Sequence, residues 1–174
     1  FILITQFNSI NKTLIIISEV FFSLIGVLLG YVFFGQTISI VMTGMGLVAL
    51  AGIVVRNGIL LVEFTDILKE RGLRTREAIV QAGKTRITPV LLTATATILG
   101  LIPLAIGFNI DFYSLISEGK PHIFFGGDNV AFFGALSWTI IYGLTFATFL
   151  TLIFIPVMYY LMFAGQIWVG RKIN

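Results

Sequence analysis

Of the 174 residues, 57% are apolar and only 11% are charged, and the mean hydropathy is +1.03. Soluble domains carry about 25% charged residues, so this chain cannot cover itself with water-facing groups and lipid is its implied solvent. The absence of cysteine excludes a disulfide framework and thiolate metal sites, and the net charge of +3 has to be judged by where the charges fall.

The chain opens Phe1-Ile2-Leu3-Ile4, with neither Met nor a charged leader. That reads as a cut through a hydrophobic helix, and residues 1–6 are expected to be the tail of an earlier span. A bilayer core about 30 Å thick needs about 20 apolar residues in helical form. Four stretches qualify: 14–34, 38–64, 87–108 and 132–162. Backbone groups in hydrocarbon must be bonded internally, which a helix does within one segment. A β-barrel would instead show short alternating segments. The expected fold class is all-α, a polytopic transmembrane helical bundle with four full spans, and residues 1–174 form the C-terminal part of a transmembrane domain.

The connections add detail. Gly35-Gln36-Thr37 allows only a tight antiparallel turn. The polar connector 66–86 is broken at Gly72, and Thr75 can cap a short helix with Glu77 in its first turn. Ala78, Ile79 and Ala82 give that helix one apolar face, which predicts an amphipathic helix lying on the membrane surface. The loop 109–128 is long for a bare connector, so it holds a little structure or moves.

Lys12, Lys69, Arg71, Arg74, Arg76, Lys84, Arg86, Arg171 and Lys172 fall on one side of a four-span topology, and Lys120 alone on the other. Cytoplasmic loops are enriched in Lys and Arg. This predicts a multi-pass protein with a cytoplasmic C-terminus, a cytoplasmic 66–86 connector and the 109–128 loop outside. The basic excess is thus a topology signal and gives no support to a nucleic-acid partner. Phe112, Tyr113, Trp138, Tyr159, Tyr160 and Trp168 fit interfacial belts, or plain packing.

Arg56, followed by Asn57, is the sharpest feature. It lies eight residues, about 12 Å, inside the second span from Phe64. Intramembrane charges usually face a bundle interior and pair; the competing reading is a side chain snorkelling to the headgroups. A guanidinium stays charged and cannot carry a proton, but it can stabilise a nearby carboxylate. Glu19 and Glu63 are both placed near the cytoplasmic ends of their spans, so a central acid would lie outside this chain. In the third span Arg86, Thr93, Thr97 and Gly100 share a face. Thr93 can serve a neighbouring ion pair, or bond its own backbone near Pro89.

Gly44, Ala49 and Gly52, then Gly143, Ala147 and Thr151, are small residues that let membrane helices pack closely. Pro103 and Pro156 are expected to kink or end helices. His122, without cysteine or a second histidine, reads as a loop residue, so no metal and no cofactor is expected. No nucleophile sits beside a base, there is no P-loop, and the GMG at 44–46 is a chance match inside an apolar run; the chain is not expected to be an enzyme.

Residues 46–64, GLVALAGIVVRNGILLVEF, closely resemble the tenth helix of RND (resistance-nodulation-division) efflux pumps of the AcrB-like kind. Arg76-Glu77-Ala78 and the run 86–93, RITPVLLT, resemble the connector and eleventh helix. Gly100-Leu101-Ile102-Pro103-Leu104 continues the match, and Pro156-Val157 resembles the end of the twelfth. The resemblance covers almost the whole chain, from the end of the eighth helix, with 109–128 matching poorly. It implies a proton-driven exporter of drugs or other amphiphiles, an antiporter in the inner membrane of Gram-negative bacteria. It further implies a homotrimer working with a periplasmic adaptor and an outer-membrane channel. An aspartate pair on the fourth helix, in the remainder of the same chain, would be served by Arg56 and Thr93. Arg86 matches a further family arginine, and Asn57 follows the basic residue as in the family. The drug-pump branch usually has lysine at Arg56. The rival reading is a membrane scaffold whose Arg56 only orders the bundle; a channel is disfavoured because no filter sequence is visible.

Overall fold

A computed structural model describes residues 2–111 and 122–173. Phe112, Tyr113 and Lys120 lie outside the described residues, as do the side chains of His122, Trp168, Arg171 and Lys172. The elements run α1 (Ile2–Phe7), α2 (Ile10–Phe34), α3 (Ile40–Glu70), α4 (Thr75–Ile106), β1 (Phe108–Asp111), β2 (His122–Phe125) and α5 (Asp128–Ile173). The expected helical bundle is present: α2, α3, α4 and the Phe132–Gly165 part of α5 are each long and apolar enough to cross a membrane. α1 is the expected short helical tail, set off from α2 by Asn8 at φ +45°.

Local chemistry explains the turns. α2 ends at Gly35, whose φ of +60° suits a residue without a Cβ and lets its N–H reach the Tyr31 carbonyl. α3 has 31 residues, about 46 Å of helix, so it is longer than a bilayer core and the polar end from Asp66 onward can stand outside it. Gly72, at φ +92°, makes the next turn.

The connector departs from expectation in two ways. The helix that starts at Thr75 does not stop; it continues through Pro89 and Pro103 to Ile106 as α4. Gly83 costs a helix about 1 kcal/mol, too little to end one supported by packing. Nor does its apolar face lie on the membrane surface. Ala78, Ile79 and Ala82 are buried in a core with Leu61, Val62 and Leu68 of α3 and Ile155 and Tyr159 of α5. Thr75 makes no capping bond; Arg74 occupies the cap position without a side-chain bond. Between α4 and α5, β1 and β2 pair antiparallel, Phe108 opposite Phe125 and Asp111 opposite His122. Asn109 closes the base of this ribbon by donating to the Gly126 carbonyl at 2.6 Å.

α5 is the hub, packed against α2, α3 and α4. Small residues make the close approaches, though not all those expected. Gly143 of α5 admits Leu50 and Val27, and Gly46 of α3 meets Thr139. Gly44 and Gly52 face open space, and Ala49 is exposed. Lipid is as apolar as a leucine core, so such packing and interhelical hydrogen bonds hold membrane helices together.

Polar ties join α2, α3 and α5 at three depths. At one end the Tyr31 hydroxyl donates to the Ala135 carbonyl at 2.9 Å, within reach of Thr43 (3.2 Å) and Thr139 (2.8 Å). At the other, Lys12 meets Asp66 at 2.7 Å while Tyr159 donates to the second Asp66 oxygen at 2.6 Å. Between them Thr151 of α5 is hydrogen-bonded to Glu19 of α2. Two of the aromatics read as interfacial belt or plain packing do pack between helices: Tyr159 is buried, and Trp138 donates to the Ala105 carbonyl at 3.1 Å. The outward surface is hydrocarbon, with Phe33 and Ile40 each 88% exposed, which only lipid or further helices can cover.

Candidate functional site

Arg56 is the seventeenth residue of α3 and close to its midpoint, about 24 Å from Ile40 and about 21 Å from Glu70. It opens into a cleft of about 200 Å³ between α3 and α4, floored by Leu144 of α5. Arg56, Asn57, Arg86 and Thr93, the four residues singled out from the sequence, line this one cleft, with Thr97 beside them. Gly100 shares their helix face but is not among the lining residues.

The groups differ in how they are held. Arg56 is exposed on this chain, whereas Asn57 is buried. Arg86 stacks its guanidinium over Phe64, 4.5 Å from the ring centre, a cation–π contact. Its Nε is buried without a hydrogen-bond partner among the described residues. The Thr93 hydroxyl donates to the carbonyls of Pro89 and Val90, both at 3.0 Å. Of its two readings, the backbone bond is the one made here. That bond is local, and a hydroxyl can rotate its hydrogen to a better acceptor.

Two arginines thus share a cleft with no carboxylate among its lining residues. Positive charge in a low-dielectric site attracts an acid strongly. The cleft is also on the unfinished side of the bundle. Only 17% of the most apolar window of α4 is buried, against 50% for that of α5. The cleft is thus a positively charged recess that the described helices leave open along α4.

Glu63 is exposed, as a boundary residue should be. Glu19 is fully buried at the junction of α2, α3 and α5. Its position in the sequence gives it no partner. The missed signal was its isolation in an uncharged run from Thr13 to Gly35, with Ser23 one turn further on the same face.

The model of the AcrB/AcrD/AcrF family matches residues 1–111, well over half of the chain. The chain belongs to the AcrB/AcrD/AcrF family. Among its relatives, the swarming motility protein SwrC of Bacillus subtilis is 38% identical over 158 residues, covering 91% of this chain and 13% of SwrC. The multidrug resistance protein MdtC of Erwinia tasmaniensis is 32% identical, covering 79% of this chain and 12% of MdtC. The cobalt-zinc-cadmium resistance protein CzcA of Cupriavidus metallidurans is 30% identical, covering 91% of this chain and 13% of CzcA. The crystal structure of a heavy metal efflux pump superposes with a TM-score of 0.70 at 27% identity, over 92% of this chain and 14% of that one. The chain therefore spans about an eighth of these relatives and is a permease fragment of the RND type.

Proposed function

We propose that this chain is the Arg56-bearing part of a proton-driven efflux permease that exports drugs or other amphiphilic compounds. The observation that carries the reading is the unfinished cleft: Arg56 and Arg86 stand together, with Thr93 beside them and no acid among the described lining residues. In the proposed cycle an aspartate pair on a helix outside this chain fills the recess. While ionised, the pair binds Arg56. Once protonated it no longer holds the guanidinium, and Arg56 turns toward Asn57 or the Thr93 hydroxyl. Arg56 keeps its charge throughout; its contribution is to switch partners, and the moving protons ride on the acids. Arg86, clamped on Phe64, keeps the potential of the cleft positive in both states.

The multidrug names of MdtC and of AcrF from Escherichia coli support amphiphilic cargo, and the lysine-to-arginine difference at Arg56 leaves room for another branch's substrate. By resemblance the full protein is a homotrimer of the inner membrane, joined to a periplasmic adaptor and an outer-membrane channel, with the connector between α3 and α4 in the cytoplasm. The test is Arg56→Ala in the full-length protein. Loss of export at unchanged protein abundance supports the reading; export at the parent rate points to a scaffold role for the arginine.

A further inference from the structure

Glu19 is part of none of this. It faces away from the Arg56 cleft, and its surroundings are complete within the chain, with 0% of the residue exposed. Its contacts come from three helices. Thr151 Oγ1 of α5 is hydrogen-bonded to Oε1. Oε2 has no hydrogen-bond partner among the described residues and lies against Gly58 of α3, with Ile16 and Ile155 beside it. The other polar side chain nearby, Ser23, is committed to the Val20 carbonyl at 2.7 Å. Along α3 the charged residues nearest the contact at Gly58 are Arg56, two residues away and facing the opposite side of the helix, and Glu63, five residues away and exposed; along α2 Lys12 lies seven residues from Glu19, about 10 Å.

The hydrogen count and the burial together favour a neutral carboxyl. Thr151 Oγ1 has one hydrogen, yet it stands in hydrogen-bond contact with Glu19 Oε1 and, at 2.8 Å, with the Ala147 carbonyl. Each contact has a hydrogen of its own when Glu19 supplies a second one. A protonated Oε1 donates to Thr151, and Thr151 donates to Ala147. The bare Oε2 is then the carbonyl oxygen of a neutral acid, which hydrocarbon tolerates; as half of an ionised carboxylate it would be a buried charge without a partner.

From this geometry we infer that Glu19 is a proton-holding site distinct from the Arg56 cleft: a neutral carboxylic acid that latches α2 to α5 and keeps its proton while those helices stay packed. Gly58 makes the site possible, because a Cβ there would stand 2.6 Å from Oε2. The proton is stationary, since reaching it requires α2 and α5 to part.

Infrared spectroscopy of the purified full-length protein at neutral pH tests this. The parent is expected to show a protonated-acid carbonyl band that is absent in Glu19→Gln and shifted in Thr151→Val, and the band should move only slowly after transfer to D2O. Glu19→Gln, whose amide can donate to Thr151 in the same way, is expected to melt with the parent, and Glu19→Ala below it. If Glu19→Gln does not accumulate, the Thr151→Val shift decides. No band difference between parent and variants overturns the assignment. Rapid deuterium exchange at this band during export overturns the stationary proton and places Glu19 in the transport path.

Discussion

Arg56 and Gly58 stand two residues apart on α3 and face opposite sides of it. Arg56 opens into the cleft with Arg86 and Thr93, while Gly58 touches the carboxyl of Glu19. Two residues turn a helix by about 200°, so one turn of α3 has a polar cleft on one side and a closed acid latch on the other. On the side away from the cleft, α3 is thereby packed against α2 and α5.

Gly58→Ala should therefore be destabilising despite alanine's better helix propensity. The new Cβ would meet Oε2 at 2.6 Å and the Ile155 side chain at 3.3 Å, and overpacking of this kind costs about 1–3 kcal/mol. Gly83→Ala meets nothing within 4 Å and should gain about 0.5–1 kcal/mol from propensity alone. Melting of the two variants in the same detergent should move in opposite directions.

The polar tie formed by Lys12, Asp66 and Tyr159 should behave as a unit. Asp66 accepts from both partners, so Asp66→Ala removes two bonds and leaves Lys12 unpaired. We expect a loss of about 1–2 kcal/mol, and about 0.6 kcal/mol for Tyr159→Phe, in line with interhelical hydrogen bonds in membranes. A double-mutant cycle read by thermal melting should show the two losses to be less than additive, because both act through Asp66.

Thr93 separates fold from function. Its hydroxyl is bonded to its own helix at Pro89 and Val90, so Thr93→Val should change stability by less than about 0.5 kcal/mol. If the hydroxyl serves the partner-switching of Arg56, export should fall severalfold, and Thr93→Ser should restore most of it. Transport assays at matched abundance check both statements.

Much of this architecture can be read from sequence, because a membrane span declares itself by length and hydropathy. The residues of the cleft were also legible, since Arg56 is costly in lipid and Thr93 lies at helical spacing from Arg86. Less legible were features decided between helices. The Ala78–Ala82 face suits a membrane surface and a protein core equally; only the proximity of Leu68 and Tyr159 selects the core. Gly44 and Gly52 show the same spacing as packing glycines, yet Gly46 and Gly58 make the contacts, because helix rotation is set by neighbours. The position of Glu19 in its span says nothing of its partner, Thr151, which is 132 residues away in the chain.

Proton movement itself tests the role of Arg56 most directly. The full-length protein and its Arg56→Ala variant would be reconstituted in vesicles with a pH-sensitive dye inside, and substrate then added. Partner-switching at the cleft predicts substrate-driven proton flux for the parent and none above the empty-vesicle leak for the variant. Undiminished flux through the variant would contradict it.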